Sequence, residues 1–257
     1  MKPFHITLTI LLSLFFFSCE KLEETLGPLG LFNLDPQVNK TYEFKRWELD
    51  SLNNKVGDGS IYFEKCVAKN VSFGGVNDAF VSIKFLNHRN FQILDTTYLR
   101  VVNGKDIYEW IDTSQIFSNS TQNIKLSLNK RMSNYTWVAR IQLSKGENAE
   151  YTILPDKYIQ FTIDTLTLNI KISFKSKNEG FENITVPAGN FRAYKVKTTM
   201  SFTIFYSNNL IGSFDLINYI WISDDLDWWI KQYQPTTFVR LLNSYIYGSV
   251  DELVSTQ

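Results

Sequence analysis

This chain is poor in the residues that most often carry chemistry. It has two cysteines, Cys19 and Cys66, and only Cys66 lies in the strongly patterned part, so that part has no internal disulfide. It has two histidines, His5 and His88. With His5 in an N-terminal leader and one patterned-region cysteine, histidine-rich metal sites and four-cysteine zinc sites are excluded. A Ser-His-Asp triad would have to use His88, and no serine sits in a G-x-S-x-G setting. Neither G-x-x-x-x-G-K-[ST] nor G-x-G-x-x-G occurs, so no phosphate-cradling loop is encoded. Charge of one sign is missing too. The 26 basic and 26 acidic residues cancel, leaving no basic field to attract nucleic acid. On these grounds we expect no catalytic, cofactor-binding or metal-ligating residues, and read the chain as non-enzymatic.

What is abundant points to sheet. The 20 Phe, 13 Tyr and 6 Trp, with many Ile, Val and Thr, suit a pleated, half-buried surface. Thr41 to Leu49, Ser60 to Lys69 and Ala79 to Leu86 read as the first strands. Asn103-Gly104 between Tyr98–Val102 and Asp106–Trp110 is the strongest hairpin signal, because both turn residues need positive φ. Ser114 to Asn123 reads as loop, and Ile124–Leu128 and Tyr135–Leu143 as further strands. From Tyr158 to Lys175 the apolar residues alternate but slip phase once at Asp164-Thr165, which predicts a β-bulge or a turn. Tyr194 to Tyr206 alternates cleanly, Asn208-Asn209 suits a turn, and Thr237 to Tyr247 reads as the last long strand. The expected fold is all-β: a large curved antiparallel sheet, half-barrel or barrel, with at most one or two short helices.

The ends carry an address. Lys2 followed by the apolar run Ile6–Phe17 is too short to span a bilayer and reads as a signal peptide. Its end, Phe16-Phe17-Ser18-Cys19, resembles a bacterial lipobox. The resemblance implies cleavage before Cys19 and acylation of its sulfur and new amine, an anchor of several acyl chains in the envelope membrane. Residues 1–18 are then a lipoprotein signal peptide, 19–40 a lipidated tether broken by Gly27-Pro28, and 41–257 a single β-rich domain. Glu20, Glu23 and Glu24 resemble the acidic stretch that follows the lipidated cysteine in surface lipoproteins of Bacteroidetes. We expect the outer membrane.

Glu182 to Lys197, ENITVPAGNFRAYKVK, reads as two strands joined at Pro187–Gly189. With Tyr219–Lys231, it resembles DUF3108-like and LolA/LolB-like envelope proteins over about residues 180–235. The resemblance implies a strongly curved antiparallel sheet with an apolar inner face. The glycine usual after the second turn is Asp227 here, a residue type that tolerates left-handed φ.

Three features remain as candidates. Cys66 reads as a small buried strand residue. Asp224, Asp225 and Asp227 could in principle hydrolyse glycosides or bind Ca²⁺, but Ser-Asp-Asp at a hairpin tip more simply caps its own backbone. Trp221, Trp228 and Trp229 are candidate ligand contacts, with alternation sending Trp228 and Trp229 to opposite faces. The sequence thus predicts a lipid-anchored envelope protein, tied to the membrane through Cys19. Its curved sheet takes a lipid or other apolar ligand, or a segment of an envelope protein partner, and nucleic acid is excluded. The alternative is a surface-exposed glycan-binding or assembly lipoprotein.

Overall fold

The computed structural model describes residues 33–86, 92–112, 135–163 and 166–257. Cys19, the leader, His88, the expected loop at 114–123 and the expected strand at 124–128 lie outside the described residues.

Fourteen strands follow one another along the described chain. They are β1 Thr41–Leu49, β2 Lys55–Phe73, β3 Val76–Phe85, β4 Ile93–Val102, β5 Asp106–Asp112, β6 Tyr135–Gln142 and β7 Glu150–Ile163. Then come β8 Leu166–Val186, β9 Gly189–Tyr206, β10 Asn209–Ser223, β11 Trp228–Gln234, β12 Thr237–Val239, β13 Ser244–Ile246 and β14 Ser249–Thr256. Helical structure among the described residues is limited to two single 3-10 turns, Leu143–Lys145 and Arg240–Leu242.

Twelve strands form one antiparallel sheet in the order β6-β5-β4-β3-β2-β1-β14-β11-β10-β9-β8-β7. Its two edges are consecutive in sequence. The sheet wraps so that Phe174 of β8 and Met200 of β9 border the same space as Lys84 of β3 and Glu109 of β5. The all-β curved sheet is therefore a nearly closed barrel.

The seam between β6 and β7 is closed by side chains. Asp106 accepts from the Ser144 backbone N–H at 2.9 Å and from its hydroxyl at 2.6 Å. Asn178 Nδ2 donates to the carbonyls of Gln142 and Gly146, each at 2.9 Å. The Tyr151 hydroxyl accepts from Gln142 N–H. These bonds satisfy backbone groups that the missing ladder would leave unpaired at the edge.

Turn chemistry sets the hairpins. Asn103 and Gly104 have φ of 54° and 64°, the pair a type I′ turn requires. The β9–β10 turn is also of this kind but falls on Ser207 and Asn208, φ 47° and 68°, one residue earlier than Asn208-Asn209. Pro187-Ala188 separates paired Val186 and Gly189, and Ala188 N–H donates to Leu253 O at 3.0 Å, tying this hairpin to β14. Asp227 has φ of 54°, so it takes the left-handed conformation a glycine would.

One pattern reading resolves and one changes. Asp164 and Thr165 lie outside the described residues, but Ile163 pairs with Leu166 and β7 and β8 run antiparallel on either side, which fits the turn of the two alternatives. Thr237 to Tyr247 is a small separate hairpin, β12–β13, and the strand that completes the sheet is β14, paired on both sides with β1 and β11. Ser249 to Thr256, which holds the adjacent acids Asp251 and Glu252, is assigned no element by the sequence pattern.

The long β2–β3 hairpin coils back on the sheet through successive register shifts between Cys66 and Phe73. Its tip stacks Phe73 on Tyr98 at 3.6 Å and accepts the Trp137 indole N–H on Gly74 O at 2.9 Å. Gly74 has positive φ, and a Cβ there would strike the Trp110 ring, so the turn needs glycine.

Candidate ligand-binding interior

Register places a row of polar side chains inside the barrel. Tyr42 on β1 pairs with Glu64 on β2, Glu64 with Lys84 on β3, and Lys84 with Asp95 on β4. Because alternate residues share a face, Phe44, Tyr62, Cys66, Ser82 and Thr97 point the same way. Across the barrel, β8, β9 and β10 send in Ile172, Phe174, Phe202 and Ile220. The resemblance implied an apolar inner face. One wall is apolar, and the opposite wall carries charge.

Glu64 is the centre of that charged wall. It is 7% exposed, and three donors meet its carboxylate. Lys84 Nζ lies 3.3 Å from Oε1, and Oε2 accepts the indole N–H of Trp228 at 3.2 Å and of Trp229 at 2.9 Å. Burial holds the Glu64 pKa above the ordinary carboxylate value, against the opposing pull of Lys84 and the two indoles. Trp228 stacks on Tyr42 and Trp229 on Phe44, the latter at 3.9 Å between centroids.

Two further ion pairs flank it. Arg140 on β6 meets Glu109 on β5 at 2.5 Å. Asp251 on β14, 1% exposed, has Arg46 Nε at 2.9 Å and accepts the Tyr62 hydroxyl at 2.9 Å. Burial pushes the Tyr62 phenol well above its usual value, and the carboxylates of Glu64 and Asp251 push it further.

These groups border space. A cavity of about 220 Å³ lies against Phe80, Leu99, Val101, Ile220 and Ile222, with Glu64, Trp228 and Trp229 in its wall. Its lining includes Leu34, which is buried and held by a 2.7 Å bond from its N–H to Gly104 O. A second, wider and more open space of about 1180 Å³ adjoins it, bordered by Trp110, Tyr135, Phe174 and Met200. Lys84, Asp95, Thr97, Glu109 and Arg140 line both, and so form a charged waist where the two spaces meet.

The sequence-derived candidates fall in different places. Trp228 and Trp229 both border the cavity and share Glu64. This departs from the alternation that would send neighbours to opposite faces; the register shift opposite Trp221–Ile222 falls just beyond both, between Trp229 and Lys231. Trp221 is buried elsewhere: its indole donates to Glu182, and Lys195 and Lys231 lie over its ring. Of the acidic tip, Asp224 faces Arg192 at 3.7 Å, and Asp225 N–H bonds the Ser223 hydroxyl. Asp227 reaches the cavity lining, its pKa raised by burial and by Asp35. Cys66 is buried, with its thiol pushed up by that burial. Among the described residues, no group of three His, Cys, Asp or Glu side chains is placed to hold a metal ion.

The sequence reading missed Glu64, Lys84, Glu109 and Arg140. Ile61 to Val67 is apolar on both phases, so nothing in it says which phase of the strand faces inward.

No protein-family model matches this sequence, and no curated protein matches it. Three solved structures are similar in shape. A proposed lipoprotein from Parabacteroides distasonis superposes with TM-score 0.46 at 10% identity, covering 88% of this chain and 98% of the other. A proposed exported protein with a YmcC-like fold from Bacteroides fragilis gives 0.41 at 11%, covering 88% and 99%. The hypothetical lipoprotein YmcC from Escherichia coli gives 0.32 at 10%, covering 84% of each. Similarity at this level says nothing about activity.

Proposed function

We propose that this chain is a bacterial cell-envelope lipoprotein, anchored in the outer membrane by acyl chains on Cys19, that holds a small apolar or amphipathic molecule inside its barrel. The anchor rests on the sequence alone: Lys2, the apolar run to Phe17 and Ser18-Cys19. The binding rests on one observation, the cavity with one apolar wall and a charged waist. At ~30 Å³ per water, about 220 Å³ is room for roughly seven waters or a short chain of comparable bulk. Ile220, Ile222 and Leu99 suit a tail, and Lys84, Glu109 and Arg140 suit a polar head. The glycan-binding alternative draws less support, because Trp228 and Trp229 each stack one face on another ring and commit their N–H to Glu64.

The test is native mass spectrometry of the mature chain carrying Cys19→Ser, exported to the periplasm of a bacterial host. The expected result is a reproducible added mass that organic solvent extracts, lost in Thr97→Trp, which fills the waist with an indole. A peptide adduct would identify a partner segment as the occupant. A clean apo mass at native concentration would overturn the binding half of the reading.

A further inference from the structure

The sheet itself does not require residues 235–248. β11 and β14 pair antiparallel with Gln234 opposite Ser249, so a short loop could join them. The chain instead leaves through β12, makes the 3-10 turn Arg240–Leu242, and returns through β13. It exits and re-enters at one point, fixed by the bond from Gly248 N–H to the Thr236 hydroxyl at 2.9 Å and from Thr236 N–H to Asn53 Oδ1 at 2.7 Å.

One side of this hairpin is seated. Val239 is 1% exposed, Thr237 donates to Asp215 O on β10, and only one edge of Leu241 lies beside Gly212. The other side is bare. Phe238, Leu241, Leu242, Tyr245 and Tyr247 stay exposed, Leu242 at 54% and Tyr247 at 60%. Scattered exposed apolar residues need no explanation, but a contiguous group on a dispensable excursion does.

The order of side chains selects the occupant. Leu241 and Leu242 sit on the tip turn, with the Phe238 and Tyr245 rings in tilted contact behind them on the two strands, 4.9 Å between centroids. Arg240 is the single charge between residues 236 and 248, and no carboxylate occurs there. Aliphatic tip, aromatic shoulder and one cation without acids match the depth profile of a lipid interface: acyl chains, then the head-group level where Tyr resides, then lipid phosphates. We propose that the β12–β13 hairpin is a membrane-docking element that seats its leucine tip in an anionic bilayer surface. Reach is sufficient. The roughly fifteen residues from Cys19 to Leu34 span at most about 50 Å, and β1 from Tyr42 to Leu49 rises only about 23 Å. This last point alone rests on the anchored reading.

The experiment removes the anchor so that the two readings fail separately. The mature chain with Cys19→Ser is mixed with vesicles of phosphatidylethanolamine and phosphatidylglycerol and sedimented. The expected result is association that falls at least tenfold in Leu241→Asp/Leu242→Asp. Independently, Leu242→Cys is labelled with an environment-sensitive fluorophore, Cys66 being buried. Its emission should shift to the blue on vesicles, while the same label at exposed Lys157→Cys on the β7 edge should not shift. No association of the unsubstituted chain, undiminished association of the double variant, or an unshifted label would each overturn the proposal. So would loss of self-association, rather than of vesicle binding, in the double variant.

Discussion

Glu64 and Trp229, 165 residues apart in sequence, meet inside the barrel, where the indole N–H donates to the carboxylate at 2.9 Å. Together with Lys84 and Trp228, this joins β2, β3 and β11 around one buried charge.

Removing that charge should be costly in a way that keeping its shape is not. Glu64→Leu strands the Lys84 ammonium and two indole N–H groups, and should destabilise by about 3 kcal/mol. The figure sits low in the usual range because Lys84 is 29% exposed. Glu64→Gln keeps an acceptor for the indoles and should lose about 1 kcal/mol. Urea unfolding of both variants checks this, and equal losses would mean that the carboxylate's partners do not depend on it.

Two glutamates should make opposite contributions to the pH profile. Glu252 is held below the ordinary carboxylate value: burial opposes ionisation, but the bonds from Lys55 and Lys231 outweigh it. Its contribution is present above that value and is lost as pH falls through its folded pKa. Glu64 is raised, so its contribution is complete below the ordinary value and is lost as pH rises through its folded pKa. Stability of Glu64→Gln and Glu252→Gln relative to the unsubstituted chain, followed between about pH 3 and 8, should give difference curves of opposite slope. Parallel curves would contradict the assignment.

Cys66 should be silent until the barrel opens. It is 1% exposed, and burial raises its thiol above the usual range. In a Cys19→Ser background, a thiol reagent at neutral pH should label it at the rate of unfolding, and within seconds in denaturant. Rapid labelling of the native chain would show that the β2 wall opens locally.

Gly248→Ala should damage the point where the β12–β13 excursion returns. A Cβ there would meet Gln234 O, and lie 2.6 Å from Pro235 C and Thr236 N, all backbone that cannot rotate away. The expected loss is about 3 kcal/mol, at the upper end of overpacking, measured by thermal unfolding. Gly57→Ala provides the contrast: it is strained by positive φ but has open space around it, so its loss should be nearer 1 kcal/mol.

Much of the sheet is legible along the chain because its signals are local. Asn103-Gly104 encodes its own turn, and the alternation from Tyr194 to Tyr206 encodes a strand half buried on one side. Where local signals are ambiguous, the reading slips. The phase change at Asp164-Thr165 suits a bulge or a reversal equally, and only the partner strand distinguishes them. β14 carries adjacent acids that hide its strand pattern, yet Asp251 faces inward to Arg46 and Tyr62, while Glu252 bonds Lys55 and Lys231. The polar interior is hidden for the same reason. A charged residue in a strand is taken as exposed until its cross-strand partners are known.

The strand-rich composition, the turns that need positive φ, the absence of zinc-site and nucleotide-loop motifs, and the lipobox-like end at Cys19 are all written in the linear chain. Each follows from chemistry within a few residues. That the curved sheet nearly closes, that Glu64 shares Trp228 and Trp229, and that charged side chains line the interior emerge only once the chain is folded. Those depend on register between strands far apart in sequence, and a one-residue change of register turns every side chain to the other face.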